Sequence, residues 1–370
     1  DTKKFAAGLH DKVGFKRGDV LAIVSPNQVD YPIVLFGAIA AGGIVSPANP
    51  TYTVKELSFQ LSNSGASMII SYPSCLSTII EAAAEVGIPR SKIFLIGDKE
   101  VDGFQPYSTL FIDREFEPVE YTPEEVKNTV AILCYSSGTT GKSKGVQTTH
   151  TNIIANVEQF ISIDKGLSQK EVFMGVLPFF HIYGLNLLLH AVLILGASTV
   201  LIPKFDLATF CRVVQDYKVT YGHLVPPIIL LLVKDPTVKE YDLSSLRVIV
   251  NGAAPLSKSL IDDMLSIHNI TVKQGYGLTE TSPVISVDDE KGSTKGIYRS
   301  VGKLLPNIEA KIIAENGQEL DCNQPGQLCV RGPNVMKGYL NNEEANNAAF
   351  DSDGFLYTGD VAFIDDQGQS

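Results

Sequence analysis

The chain lacks several signatures that would settle its class at once. Its five cysteines, Cys75, Cys134, Cys211, Cys322 and Cys329, form no Cys-x-x-Cys pair, and none sits with a histidine at metal-ligand spacing. That excludes a zinc ribbon or a thioredoxin-like redox pair and predicts reduced core cysteines of an intracellular protein. Basic charge is short: 30 Lys and Arg against 41 Asp and Glu leave a formal net charge of -11. A general nucleic-acid or membrane-surface binder needs the opposite balance, so neither partner is expected. The start Asp1-Thr2-Lys3-Lys4 leads into no apolar signal-peptide core. One uncharged run, Ile182 to Ile202, is long enough to be mistaken for a membrane span. Asn186, His190, Gly196 and Ser198 interrupt it, and its β-branched end Ser198-Thr199-Val200-Leu201-Ile202 stops at Pro203, so a buried helix followed by a buried strand is expected and no integral span. No Gly-x-Gly-x-x-Gly follows a strand with an acid downstream, which removes a dehydrogenase-type dinucleotide site. There is no internal repeat or low-complexity tract. What is present, 370 residues with 44% hydrophobic and 19% charged content, describes a globular protein of two or three domains.

Against that background one segment stands out. Tyr135-Ser136-Ser137-Gly138-Thr139-Thr140-Gly141-Lys142-Ser143-Lys144-Gly145 gathers small hydroxyl residues, three glycines and two lysines. Glycines let backbone N–H groups approach a ligand closely, Ser and Thr add short donors, and lysines meet multiple negative charge. The composition is that of a nucleotide-phosphate clamp. Gly141-Lys142-Ser143 imitates the end of a kinase P-loop, but that motif needs a glycine five positions before the Gly-Lys pair, where Ser136 stands. A solvated Gly/Ser/Thr linker is the plain alternative. The apolar run Val130-Ala131-Ile132-Leu133-Cys134 before the segment, and Ile153, Ile154, Val157, Phe160 and Ile161 on one helical face after it, favour a strand, a phosphate loop and a helix.

Up to about residue 275, β-branched runs alternate with helical patterns. Leu21–Val24 precedes Tyr31–Ala41, Ser67–Ile70 precedes Leu76–Val86, and Ile93–Ile96 follows. Thr199–Ile202 precedes Leu207–Tyr217, and Arg247–Val250 precedes Ser257–Ile267. Alternation of this kind predicts an α/β fold with two helix-covered, mostly parallel sheet subdomains. The first is expected over residues 1–128 and the second, with the phosphate loop, over 129–290, divided at an acidic connector where Thr122-Pro123-Glu124-Glu125 has the form of a capping box. Residues 291–370 read as a small β-rich, barrel-like subdomain: Ile308–Ile313, a turn at Asn316-Gly317, then Gln327–Arg331. The end, Asp365 to Ser370 after the strand-like Val361–Ile364, has the form of a hairpin turn without its return strand and suggests a truncation.

Four further motifs follow the loop in order: Pro178-Phe179-Phe180-His181-Ile182-Tyr183-Gly184, Asn251-Gly252-Ala253-Ala254-Pro255-Leu256, Gln274-Gly275-Tyr276-Gly277-Leu278-Thr279-Glu280, and Tyr357-Thr358-Gly359-Asp360. With the loop they make the chain resemble the adenylate-forming superfamily of acyl-CoA synthetases, luciferases and peptide-synthetase adenylation domains over nearly its whole length. His181-Ile182-Tyr183-Gly184-Leu185-Asn186 and Gly326-Gln327-Leu328-Cys329-Val330-Arg331-Gly332 are similar to 4-coumarate–CoA ligase-like enzymes.

The resemblance implies ATP-dependent activation of a carboxylic acid to an acyl-adenylate, then thioester formation with CoA, with Mg²⁺ as cofactor. A luciferase-like enzyme, an acyl-AMP ligase to a carrier protein and a non-catalytic nucleotide-binding module are the alternatives. By the same resemblance Ser136, Ser137, Gly138, Thr139, Thr140, Gly141, Lys142 and Lys144 grip the phosphates, together with Gln274, Gly275, Tyr276 and Gly277 for the nucleotide. Tyr276, an open-flanked aromatic, is suited to stack on adenine, and Asp360 to accept both ribose hydroxyls. Thr279 donates to the α-phosphate and Glu280 is the magnesium ligand, an oxygen donor to a hard cation. His181 gates or positions the carboxylate. Lys204 matches a CoA-contacting position. Tyr183, Leu187, Ala253, Gly275, Pro283 and Val284 line the acyl pocket, where Leu187 replaces a small polar residue of plant coumarate ligases and favours a more apolar acid, fatty or aryl-alkanoic. The family adds a mobile C-terminal lid domain that these residues do not include, and its members imply a cytoplasmic or peroxisomal setting.

Overall fold

The computed structural model describes residues 1–136, 143–289, 300–366 and 368. They form two compact units, the first made of Asp1–Thr151, Phe179–Ile182 and Met336–Glu343, the second of Asn152–Pro178, Tyr183–Val335 and Glu344–Ser370.

Unit 1 is built on β1 (Val20–Val24), β2 (Ile44–Ala48), β3 (Ala66–Ser71), β4 (Ile93–Leu95), β5 (Val130–Ser136) and β6 (Lys144–Thr149). With the short strand Gly338–Tyr339 at one edge, they lie in the order Gly338–Tyr339, β6, β5, β2, β1, β3, β4. Pairing from β5 to β4 is parallel. All five residues of β1 are buried, as expected of a strand covered on both faces. The crossover helices Tyr31–Ala40, Val54–Ser64 and Leu76–Val86 supply that cover, and the last two end on left-handed Gly65 and Gly87. The Thr122/Glu125 capping box forms as the sequence indicates, and Thr53 with Glu56 forms a second one.

Two features depart from the sequence reading. The segment after β5 does not lead straight to a helix: β6 returns antiparallel to β5, and only then does the helix His150–Ile163 begin. Lys144, Gln147 and two threonines dilute the apolar signal of β6, so its strand period is hard to see, although Val146, Thr148 and Thr149 are buried. Because β5 pairs with β2 at Val45 and Ile132, both arms of this hairpin belong to the first sheet. The division expected at residue 128 therefore falls after Thr151 in the chain's compact units.

Unit 2 carries a second seven-stranded sheet: β7 (Val172–Gly175), β8 (Ser198–Leu201), β9 (Tyr221–Leu224), β10 (Val248–Asn251), β11 (Thr271–Gly277), β12 (Val284–Val287) and β13 (Lys303–Leu304). Its order is β13, β12, β11, β10, β9, β7, β8; the strands from β11 to β8 are parallel, and β12 and β13 are antiparallel additions. The helices Leu207–Tyr217, Pro226–Lys234 and Lys258–His268 pack Phe210, Val214, Ile229, Leu232 and Met264 into a core with Ile249 and Val272. Each such side chain contributes about 1.5–3 kcal/mol by burial. The uncharged run forms helical turns from Ile182 to Leu195 and then β8; Leu193 and Ile194 emerge at the surface rather than staying buried. No helix among the described residues is long and apolar enough to cross a membrane.

A third, three-stranded antiparallel sheet belongs to the same unit: β14 (Glu309–Ile313), β15 (Gly326–Arg331) and the strand Leu356–Ala362. Gly317 takes φ 83° in the expected turn, and β14 pairs antiparallel with β15, the run expected to follow it. Cys75, Cys134, Cys211 and Cys329 are buried, but Cys322 is exposed because it sits in the turn leading into β15 rather than on a core-facing strand position.

Candidate nucleotide and acyl site

In unit 1 the β5–β6 hairpin presents the phosphate segment. Ser137, Gly138, Thr139, Thr140, Gly141 and Lys142 lie outside the described residues. The flanks are well anchored. Ser143 Oγ donates to the Ser136 carbonyl at 2.9 Å, closing the hairpin neck, and Tyr135 donates its phenol to Asn63 Oδ1 at 2.7 Å. Ser136 Oγ is buried with no hydrogen-bond partner among the described residues, a donor left for a ligand or for the segment itself. Lys144 holds its ammonium 4.8 Å from the centroid of the Tyr339 ring, and Leu340 N–H donates to the Gly145 carbonyl at 2.8 Å. His181 belongs to a segment pinned within the unit by Phe179, whose N–H donates to Asn27 Oδ1 at 2.8 Å and whose ring meets Tyr31 edge-on. His181 is solvent-exposed, yet the protein around it lowers its pKa through desolvation, which favours the neutral imidazole.

In unit 2 the residues expected around adenine, ribose and metal lie on β11, in the turn between β11 and β12, and on the strand Leu356–Ala362. Gln274, on β11, spans the strand ends: its Oε1 accepts from Leu256 N–H and its Nε2 donates to the Ser300 carbonyl. Tyr276 donates its phenol proton to Asp360 Oδ2 at 2.6 Å, so the adenine and ribose candidates are in direct contact. Burial raises the Tyr276 pKa first, with the Asp360 bond adding to it, so the phenol remains a donor. Gly277 has to be glycine: a Cβ there would lie 1.9 Å from the Pro283 carbonyl oxygen. Gly275 is different. A Cβ there would meet its nearest neighbours at 3.5 Å or beyond, which is ordinary contact, so nothing in the protein's own packing demands glycine.

Thr279 and Glu280 sit in a single helical turn, Thr279–Thr281, between β11 and β12. Three buried asparagines hold its far side. Asn156 donates to the Val284 carbonyl at 2.7 Å and accepts from Val284 N–H at 3.1 Å. Asn186 donates to the Ser282 carbonyl at 2.5 Å, and Asn334 donates to the Thr281 and Val284 carbonyls at 2.8 and 3.1 Å. All three asparagines are fully buried. Sequence reasoning missed Asn156 and Asn334 and quoted Asn186 only as part of a motif; one polar letter in an amphipathic pattern carries no signal of what it will bond.

Of the residues expected to line the acyl pocket, Ala253 follows β10, Gly275 lies on β11, Pro283 and Val284 stand at the start of β12, and Tyr183 and Leu187 lie in the helical turns after Ile182. The Tyr183 ring lies against Gly252, where a Cβ would come within 2.8 Å of it, and Ala253 adopts a left-handed φ of 69° in the turn after β10. Leu187, Pro283 and Val284 are buried. Behind Tyr183 stands His223 on β9, a residue the sequence did not single out. Tyr183 donates to the Val250 carbonyl at 3.2 Å, and His223 Nδ1 lies 3.2 Å from the same phenol oxygen. With the phenol proton on Val250, Nδ1 carries the imidazole proton toward Tyr183, and Nε2, buried and without a partner among the described residues, is a bare acceptor. Burial lowers the His223 pKa to about 3. Further down the same sheet face, Lys273 Nζ and the Tyr221 phenol both donate to Asp164 Oδ2, at 2.8 and 2.7 Å. Lys204 is not part of this group: it is exposed in the turn after β8, four strands from β11, about 19 Å at ordinary strand spacing.

These residues can be set beside known proteins. Residues 1–340 match the AMP-binding enzyme family. The chain belongs to that family. A probable 4-coumarate–CoA ligase 1 of Dictyostelium discoideum is 38% identical over 383 residues, spanning 99% of this chain and 69% of the relative. A 4-coumarate–CoA ligase of Pinus taeda is 38% identical over 374 residues, spanning 99% of this chain and 68% of the relative. Among solved structures, a long-chain-fatty-acid-CoA ligase from Archaeoglobus fulgidus superposes with a TM-score of 0.89 at 30% identity, covering 100% of this chain and 74% of that one. The chain thus spans about two thirds of the length of these curated AMP-binding relatives. It has the adenylate-forming fold and belongs with the AMP-forming acid–thiol ligases.

Proposed function

We propose that this AMP-binding enzyme uses ATP to activate an apolar aryl or alkyl carboxylic acid and passes the acyl group to the thiol of CoA. In the first step a carboxylate oxygen bonds to the α-phosphorus while the bond to the β-phosphate oxygen breaks, releasing pyrophosphate and leaving an acyl-adenylate. In the second step the thiol sulfur bonds to the acyl carbon, AMP leaves with the bonding pair, and the thiol proton goes to solvent. The observation that carries this reading is the Tyr276–Asp360 contact beside the Thr279–Glu280 turn, because it brings a ring suited to base stacking on β11 against a ribose acceptor on the strand Leu356–Ala362, next to the turn that carries a phosphate-side carboxylate.

Two anions meet in the first step, so fixed donors must offset the developing charge. In unit 2 Thr279 offers such a donor, and in unit 1 Lys144 offers a positive charge. Mg²⁺ bound with nucleotide phosphates needs only one or two protein carboxylates, and Glu280, an oxygen donor on the same turn as Thr279, fits that requirement. The ion would supply Lewis-acid neutralisation of the phosphates. His181, kept neutral by desolvation, has an acceptor or a single donor to offer the carboxylate rather than a competing charge. Buried Leu187 and the Tyr183–Gly252 contact narrow the acyl slot and favour an apolar, flat or linear group. The cytoplasm or peroxisome, where ATP and CoA are both available, is the setting this reaction fits.

The test is exchange of labelled pyrophosphate into ATP across hydroxycinnamic, aryl-alkanoic, medium-chain and long-chain acids. Exchange that depends on an acid and prefers the less polar ones is expected. Equal exchange with no acid present would sink the reading.

A further inference from the structure

We propose that Tyr276 has two separable roles, its ring as the adenine platform and its hydroxyl as a positioning group that aims Asp360 at the ribose. This rests on the reading of the site as an adenine-nucleotide site. Asp360 is exposed at the end of the strand Leu356–Ala362, one residue after Gly359, whose φ is 80°. Its backbone is held: Asp360 N–H donates to Thr358 Oγ1 at 3.2 Å, and Thr358 Oγ1 donates to the Leu328 carbonyl at 2.8 Å. Its carboxylate is held by the phenol of Tyr276 at 2.6 Å, a short charge-assisted bond.

Tyr276 is the stiffer partner. It lies on β11, paired with Ser286 of β12 just before a bulge, and Gly277 beyond it cannot accept a side chain. The bond therefore transfers the rigidity of the sheet to an exposed carboxylate. A carboxylate has about four acceptor directions. The phenol takes one on Oδ2 and leaves Oδ1 and the rest for two ribose hydroxyls, so the contact does not block the sugar. It removes the rotamer freedom that an exposed Asp would otherwise lose on binding.

Equilibrium binding by calorimetry of ATP and of 2′,3′-dideoxy-ATP, each with Mg²⁺, tests this on the wild type and on Tyr276→Phe, which keeps the ring. The wild type is expected to bind ATP more tightly than the dideoxy analogue. Tyr276→Phe should weaken ATP by about 5- to 10-fold, the ordering cost of one side chain that the phenol otherwise holds in place, and leave the dideoxy analogue within about 2-fold. Asp360→Asn should remove the preference for ATP, and adding Tyr276→Phe to it should change nothing further. An equal loss for both nucleotides in Tyr276→Phe would mean the hydroxyl only supports the fold, and tighter ATP binding would mean the contact competes with ribose; either overturns the proposal. A wild type that binds both nucleotides equally overturns the proposal by removing the ribose contact, whereas one that binds neither refutes the nucleotide reading itself, before any variant is made.

Discussion

Removing the asparagines behind the Thr279–Glu280 turn should give costs that do not add. In Asn156→Ala the Val284 N–H loses its acceptor and the Val284 carbonyl loses one of two amide donors. In Asn334→Ala the Thr281 carbonyl loses its amide donor, but the Val284 carbonyl still has Asn156. Each single change strands one buried backbone group, at about 1–3 kcal/mol. The double variant strips the Val284 carbonyl of both amides, so its cost should exceed the sum of the singles by about 1 kcal/mol. Urea denaturation at unchanged slope measures all three. Acid-dependent pyrophosphate exchange should fall more steeply than stability, because a displacement of about 1 Å at a turn carrying reacting groups costs about 100-fold. Single variants within about 0.5 kcal/mol of wild type, or a double variant equal to the sum within about 0.3 kcal/mol, would refute the clamp.

The two glycines of β11 should separate packing from binding. Gly277→Ala, with its Cβ 1.9 Å from a carbonyl, is expected to destabilise by about 2–3 kcal/mol in thermal melts. Gly275→Ala, whose Cβ would meet only ordinary contacts, should stay within about 0.5 kcal/mol of wild type yet raise the KM for the acid if Gly275 lines the proposed acyl slot. The pH dependence of stability should carry two opposed contributions. His223, lowered to about 3, takes up a proton only on unfolding below about 6.5, so its contribution makes stability fall as pH drops from 6.5 toward 3. Asp288, raised to about 6 chiefly by burial, binds its proton more readily folded, so stability falls as pH rises from 3.8 toward 6. They offset between pH 4 and 6, and Asp288→Asn should steepen the acid limb there by about 1.4 kcal/mol per pH unit; an unchanged slope argues against a buried, proton-retaining Asp288. Finally, Tyr339→Phe should keep the Lys144 contact and wild-type exchange kinetics, whereas Tyr339→Leu should raise the KM for ATP about 2- to 5-fold with the acid KM unchanged. Equal kinetics in both variants would show that the ring does not place the lysine.

The parallel cores were legible because their strands are buried on both faces and their helices are amphipathic. Leu76–Val86 and Leu207–Tyr217 occupy the spans their periodicity indicates, and each ends on a left-handed residue, Gly87 or Lys218. β6 was not legible, because four of its six residues are polar and it reads as the tail of the glycine-rich segment. That one strand moved the domain division from before β5 to after Thr151. Periodicity finds an element from its own residues, but which sheet it joins depends on a partner far away in sequence, here β2 for β5.

The site divides along a similar line. Tyr276, Thr279, Glu280 and Asp360 stand in short motifs whose order along the chain carries the family resemblance, and their expected roles come from that order rather than from any one of them alone. Asn156, Asn186 and Asn334 have no ligand of their own; they bond backbone carbonyls of a turn up to 128 positions away in sequence. Nothing about an asparagine in the sequence distinguishes that duty from a solvated surface position until the fold buries it. The amide N–H groups of these asparagines are spent on the backbone around the turn that carries Thr279 and Glu280, while Asn186 Oδ1 and Asn334 Oδ1 stay buried without a partner among the described residues, at about 1–3 kcal/mol for such a group. His223 is divided in the same way: its Nδ1 is committed to Tyr183 while Nε2 is left open. A polar group fully buried at that cost without a partner marks the floor beneath Tyr183 as the place where the acyl slot is least settled by its own packing. Substitutions there should change which acid is accepted before they change whether ATP is bound.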